Sequence, residues 1–215
     1  MSFPSPTELR EACQDMPLFP LPNISLIPYT ALRLHVFEPR YVQLLKDVME
    51  TNRLMAIPCF SNGWEARSKR PDVEAVAGVG KVVQMKELPD NRYLIVLVGV
   101  GRLLILGEHE QQDLYRRAYG ELLLEPEDET EKFGEMRELF VQLLMTNSEL
   151  SDNLQPLLEE GIRPVHMCNA LGNILLQESE RRQQFLCSET LGQRCEMVIS
   201  EIVELLLHSE DGFDA

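Results

Sequence analysis

Two different periods divide the chain. In "ALRLHVF" (31–37), Leu32, Leu34 and Val36 alternate with Arg33, His35 and Phe37, the period-2 signature of a half-buried strand. Pro20, Pro22 and Pro28 confine the segment before it to edge or bulged strand geometry, because proline cannot donate to a central ladder. After Glu38-Pro39 the apolar residues Tyr41, Leu44, Leu45, Val48 and Met49 recur at helical spacing, with Pro39 suited to the first turn. "RLMAIPCF" (53–60) reads as a strand, followed by a polar loop from Ser61 to Asp72 that carries Trp64. "VGKVVQMKEL" (79–88) and "RYLIVLVGVGRLLIL" (92–106) read as a hairpin around Pro89-Asp90-Asn91, and "YRRAYGELLLE" (115–125) as a last strand.

Beyond residue 125 the strand signals stop. Phe133, Met136, Phe140, Leu143 and Leu144 share one helical face, and "PVHMCNALGNILLQ" (164–177) is helical in pattern. "LGQRCEMVISEIVELLLH" (191–208) places Leu191, Cys195, Val198, Ile202 and Leu205 on a core-facing stripe, with Ser188 or Glu189 expected to cap it. The pattern predicts a lead-in over 1–15 with a helical turn at Thr7–Cys13, a β-rich subdomain over 16–125 and an α-helical subdomain over 126–215.

Charge follows the same division. Residues 1–125 carry 14 Lys and Arg against 16 Asp and Glu, whereas residues 126–215 carry 6 against 19. With a net charge of −15 overall, the chain is disfavoured on phosphate backbones and anionic lipid surfaces, so neither nucleic acid nor membrane is an expected partner. Cys13, Cys59, Cys168, Cys187 and Cys195 are scattered without a C-x-x-C pair, and the N-terminus has no basic-then-apolar leader. The longest apolar run, Leu94–Gly101, is far too short to span a bilayer. A cytoplasmic setting with free thiols is expected.

Candidate chemistry is sparse. "GVGK" (78–81) lacks the first glycine and the hydroxyl of a phosphate loop, Ala75 and Val82 standing in those places. "GVGR" (99–102) has no third glycine and reads as a bulge or a close backbone approach within a strand. His166 and Cys168 are two apart in a predicted helix and point to different faces, so no metal site is expected. No G-x-S-x-G elbow occurs, and the carboxylate runs read as solvated surface. The sequence predicts no catalytic residue, cofactor or enzymatic activity. Nine methionines and the apolar helix faces suit an adaptable binding groove or plain core packing.

Phe19-Pro20-Leu21-Pro22, then Leu34-His35-Val36-Phe37-Glu38-Pro39-Arg40-Tyr41, then Asn52-Arg53-Leu54 resemble the motifs of the N-terminal, substrate-binding domain of Lon protease. Gly80, Leu88-Pro89-Asp90, Gly99, Arg102 and Ile105 match the same family's second block, and "ERRQQFLCSETLGQRCEMV" its helical segment, so the likeness covers about residues 16–208. Ile27-Pro28 stands where the family often has Phe-Pro, Asn91 replaces its hairpin glycine, and Cys187 its usual glutamate. The resemblance implies an α+β fold, a PUA-like pseudo-barrel followed by a helical bundle, in a stand-alone member without ATPase or protease domains. An ATP-dependent peptidase label would then be inherited by name only. It also implies a polypeptide-binding module for unfolded or degron-bearing segments, adaptor or holder in role, that helps its assembly oligomerise. The alternative is a regulatory protein docking on one partner through the acidic helical half. The motif residues Phe19, Pro20, Leu21, Phe37, Glu38, Pro39, Arg40, Tyr41, Gly80, Pro89, Asp90, Gly99 and Arg102 are expected to be mainly structural. Phe37 and Tyr41 should pack where strand becomes helix, and Glu38 with Arg40 should pin that corner.

Overall fold

Ser5 starts the first helix, α1 (Pro6–Ala12). Its hydroxyl accepts from the Glu8 amide at 3.3 Å while the Glu8 carboxylate accepts from the Ser5 amide at 2.7 Å, a reciprocal capping box. There follow β1 (Met16–Leu18), β2 (Ala31–Val36), α2 (Pro39–Glu50), β3 (Leu54–Ile57), β4 (Val76–Leu88), β5 (Arg92–Glu108) and β6 (Arg116–Leu123). Then come α3 (Glu131–Thr146), a 3-10 turn (Gln155–Leu158), α4 (Pro164–Leu175), α5 (Ser179–Cys187) and α6 (Leu191–Asp211). The computed structural model describes residues 3–61, 70–110, 113–126, 130–147 and 154–211. The expected loop around Trp64 lies outside the described residues. The chain separates into two units, Met1–Leu124 and Glu125–Ala215, giving an α+β protein in which a barrel-like sheet precedes a set of helices.

The sheet closes because β5 is long enough to serve three neighbours. β4 pairs along most of it, β2 takes its first half (Val36↔Tyr93 to Ala31↔Val98), and β6 takes its second (Arg102↔Leu123 to Glu108↔Ala118). β6 also pairs with β1, β1 runs parallel to β3, and β3 pairs with β4. Five strands thus form a closed ring, with β2 attached outside it. Register shifts at Val79/Gly80, Val82/Gln84 and Ile105/Gly107 are the bulges that bend the long strands into closure.

Side-chain alternation then builds two cores. Met16, Leu18, Leu54, Ala56, Ala77, Val79, Leu103 and Ala118 come from all five ring strands and fill its interior, joined by Leu9 and Cys13 of α1 and its cap. The opposite faces, Met55, Ile57, Val82, Tyr93, Ile95 and Leu97, pack with Tyr41, Val42, Leu44, Leu45 and Val48 of α2. β3 is therefore buried on both sides, which is why "LMAI" shows no alternation. The Ser25–Thr30 segment lies across the sheet, where Gly78 and Gly99 leave room for its backbone. A Cβ on Gly78 would lie far inside van der Waals contact distance of the Leu26 carbonyl oxygen, and one on Gly99 would come 2.9 Å from the Pro28 Cα. Tyr29, at φ 67°, donates its amide to the Gly99 carbonyl at 2.9 Å, and the Gly99 amide donates to the Thr30 carbonyl at 2.9 Å. This is a G1-type bulge, so "GVGR" contributes the close backbone approach expected of it. Asp90 (φ 63°) and Asn91 (φ 54°) turn the β4–β5 hairpin in the left-handed region that Asp and Asn tolerate.

In the helical unit, Met136, Phe140, Leu143 and Leu144 of α3 and Leu191, Cys195, Val198 and Ile202 of α6 are buried. Two expectations change here. Leu205 is 42% exposed rather than core-facing. The cap of α6 is Thr190, not Ser188 or Glu189: the Gln193 amide donates to the Thr190 hydroxyl at 3.2 Å, while the Gln193 side chain accepts from the Thr190 amide at 3.2 Å. T-x-x-Q is a capping box in its own right, one residue past the predicted position. Buried beside this stripe is Arg194, which donates to Glu125 Oε2 at 2.6 Å and Asn169 Oδ1 at 2.8 Å and lies over the Phe185 ring at 5.4 Å. The buried thiols of Cys195 and Cys168 are 3.8 Å apart, and all five cysteines are unbridged.

Candidate functional site

The motif residues fall into three places within the barrel-like unit. Phe19 stacks on Tyr41 with ring centroids 4.0 Å apart and planes at 16°, and the Arg40 guanidinium covers the other side of Tyr41 at 4.5 Å. The Tyr41 hydroxyl donates to the Pro20 carbonyl at 3.3 Å, and the Leu21 amide to the Pro58 carbonyl at 3.1 Å, which ties the proline-rich segment to α2 and β3. Arg40 pairs with Glu38 at 2.8 Å where Pro39 opens α2, both side chains about half exposed. Gly80 and Gly99 line the bed of the crossing segment. Pro89 and Asp90 make the hairpin turn, and Arg102 is buried in β5 with Nη2 donating to the Leu124 carbonyl at 2.8 Å.

Phe37 departs from expectation. It is 60% exposed and lies against His35, ring centroids 5.4 Å apart, instead of packing with Tyr41. The parity of β2 explains this. Ala31, Arg33, His35 and Phe37 all turn away from α2, whereas Leu32, Leu34 and Val36 turn toward it.

That outward side of β2 belongs to a wider face that sequence reasoning did not find. The register aligns His35 with Leu94 and Lys86, Arg33 with Val96 and Gln84, and Ala31 with Val98 and Lys81. Side chains at paired positions share a face, so Leu94, Val96 and Val98 form an apolar row between two flanks. Leu94 is 45% exposed. None of these positions is acidic, in a chain of net charge −15. Arg33 and Lys86 have no ion pair among the described residues. By contrast, Arg117 grips Asp15 with two bonds of 2.7 Å, and Arg116 and Arg70 both hold Glu108. These bonds keep the Asp15 carboxyl below the usual carboxylate range, and they do the same for Glu108 although its burial works the other way. The apolar row was hidden because "LIVLVGVG" is apolar at every position, which predicts burial on both sides rather than exposure of one.

A separate cleft of about 700 Å³ lies between α1 and the turn before β3, lined by Phe3, Glu8, Glu11, Asn52, Arg53 and Lys81. Its acid Glu8 is held low by the Ser5 amide and hydroxyl, as capping requires. Nothing in this lining pairs a nucleophile with a base. Among the described residues no group of three or more His, Cys, Asp or Glu is placed to hold a metal ion. His166 sits half-buried on α4, where desolvation lowers its basicity, and Cys168 faces Cys195 in the bundle interior. No described helix is long and apolar enough to cross a membrane.

Comparison with known proteins bears on this geometry. Lon protease of Azospirillum brasilense is 24% identical over 192 residues, 85% of this chain and 23% of the relative. Lon protease of Desulforamulus reducens is 24% identical over 213 residues, 92% of this chain and 25% of the relative. The chain thus spans about a quarter of the length of these curated relatives. Among solved structures, the N-terminal domain of Mycobacterium avium complex Lon protease superposes with a TM-score of 0.68 at 13% identity, covering 89% of this chain and 99% of that one. A Lon N-terminal domain protein from Xanthomonas campestris gives a TM-score of 0.62 at 18% identity, covering 87% and 98%. The family model described as the ATP-dependent protease La (LON) substrate-binding domain matches residues 15–204, from the start of β1 to within α6, and the chain belongs to that family.

Proposed function

We propose that this chain is a non-catalytic polypeptide-binding module that captures unfolded or degron-bearing segments as an adaptor or holder. The observation that carries the reading is the apolar row on β5, with Leu94 45% exposed and Val96 and Val98 half-buried, together with Phe37, 60% exposed just past the end of β2, in a family described by its substrate binding. Residues 16–125 would form the binding subdomain and residues 126–215 an acidic companion. The motif residues other than Phe37 would hold the fold rather than touch the client.

Physics sets the strength. Three apolar anchors contribute about 5–9 kcal/mol gross. Ordering a disordered client takes back about 2–5 kcal/mol, and association costs more. One copy therefore binds weakly, and useful affinity comes from avidity in an oligomer or a tethered assembly. The immobilised chain is expected to retain a reduced, unfolded model protein and to release the same protein in its native state, with Leu94→Asp lowering retention. Equal retention of both forms would overturn the reading.

A second reading, docking on one partner through the helical unit, draws on Val203, Leu205 and Leu207. They are 38%, 42% and 58% exposed near the end of α6, next to Glu201 and Glu204. Its signature is a single salt-sensitive partner.

A further inference from the structure

Closure of the ring leaves β2 with a neighbour on one side only, β5. The Gly99 amide bonds to the Thr30 carbonyl, and antiparallel ladders alternate, so the backbone groups of Leu32 and Leu34 turn inward to β5. Those of Ala31, Arg33 and His35 turn outward to the free edge. All three residues are exposed, and no other backbone group bonds to them among the described residues. The core-side residues Leu32 and Leu34 are only half-buried, as expected when no strand covers their flank.

We propose that polypeptide segments bind here by adding a strand to β2, and that the favoured segments alternate acidic with apolar residues. The inference rests on the polypeptide-binding reading above and specifies its mode. An added strand would exchange amide and carbonyl bonds with Ala31, Arg33 and His35. Its residues on the outward face would lie beside Arg33 and His35, in a field with no facing carboxylate, which selects Asp or Glu. Its alternate residues would cover the exposed flanks of Leu32 and Leu34, which selects apolar side chains. A second copy of this chain is a poor occupant, because pairing two β2 edges would set Arg33 and His35 against their own kind. The same two side chains that discourage self-association therefore choose the partner.

The test uses the full chain and a labelled ten-residue peptide of alternating Glu and Val or Leu, with binding read by fluorescence anisotropy. Three comparison peptides are a block-ordered isomer, a Lys-for-Glu version, and one N-methylated at alternate residues. The alternating acidic peptide is expected to bind best, with N-methylation on the bonding edge weakening it by about tenfold, the equivalent of one to two lost hydrogen bonds. Arg33→Glu should weaken it about five- to tenfold and make the Lys version the better ligand. Hydrogen exchange should slow at the Ala31, Arg33 and His35 amides on binding. The methylated peptide changes nothing in the protein, so its result stands even if Arg33→Glu folds poorly. Equal binding of the alternating, block-ordered and methylated peptides would overturn strand addition while leaving polypeptide binding intact. Failure of every peptide, together with equal retention of native and unfolded clients, would overturn both. Concentration-dependent dimerisation that protects the same amides would also overturn the proposal, by assigning the edge to a second copy.

Discussion

Arg194→Ala is expected to destabilise the helical unit by about 3–5 kcal/mol, measured as a fall in urea midpoint at unchanged slope. Arg194 is fully buried, and its guanidinium joins Glu125 (2.6 Å) to Asn169 of α4 (2.8 Å), while Asn169 Nδ2 donates to the same Glu125 oxygen at 3.0 Å. Removing the cation takes the guanidinium from a carboxylate with a side-chain exposure of 7% and a donor from the Asn169 carbonyl oxygen. The penalty is that of a buried carboxylate losing its guanidinium, not the intrinsic worth of the pair, and this makes a second outcome predictable. Exchanging both ends for apolar groups of similar size, Glu125→Leu with Arg194→Met, should recover most of the loss. A single-variant loss below about 1 kcal/mol would show that water reaches the pair and screens it.

Phe19→Ala is expected to cost the barrel-like unit about 3–5 kcal/mol in the same assay. The ring is 4% exposed, stacked on Tyr41, and backed by Leu26, Met55 and Ile57, so its loss opens a cavity between the proline-rich segment and α2. Tyr41→Phe keeps the stack and removes only a 3.3 Å hydrogen bond, for about 0.5–1.5 kcal/mol. Arg40→Ala loses a half-exposed ion pair and a surface cation–π contact, for about 1 kcal/mol at most. That order, Phe19 above Tyr41 above Arg40, separates a packing role for the motif from a ligand-binding one. Unchanged stability in Phe19→Ala with lost client binding would reverse it.

Local pattern made part of this fold legible. Alternation in β2, the proline opening α2, the Asp90-Asn91 turn and the apolar face of α3 are each set by neighbours within a few residues, and they stand where periodicity placed them. What escaped depends on contacts distant in sequence. Nothing local says that β5 pairs with β6 as well as β2, since that requires a bulge at Ile105/Gly107 to aim the strand. Arg194 reads as a surface residue of an amphipathic helix because its partners, Asn169 and Glu125, are 25 and 69 residues away. Phe37 has the right parity for exposure, but a large apolar residue within a motif invites a packed reading. The candidate face was the least legible feature, because a run of uninterrupted apolar residues carries no record of which side faces water.

The scattered thiols turn out to be a pair of built-in clocks. Cys13 and Cys59 are buried in the barrel-like unit, Cys168 and Cys195 in the helical unit, while Cys187 is exposed. Burial pushes the Cys13 thiol up to about 11, and the hydrogen bond with Cys195, followed by burial, raises Cys168. All four buried thiols are shielded from a reagent until the surrounding structure opens. A thiol reagent should modify Cys187 at once, and the others at rates that report each unit's opening equilibrium. In Arg194→Ala, Cys168 and Cys195 should speed up by orders of magnitude while Cys13 and Cys59 keep their native pace. Parallel acceleration of all four would mean that the two units open as one cooperative body, with a single stability between them.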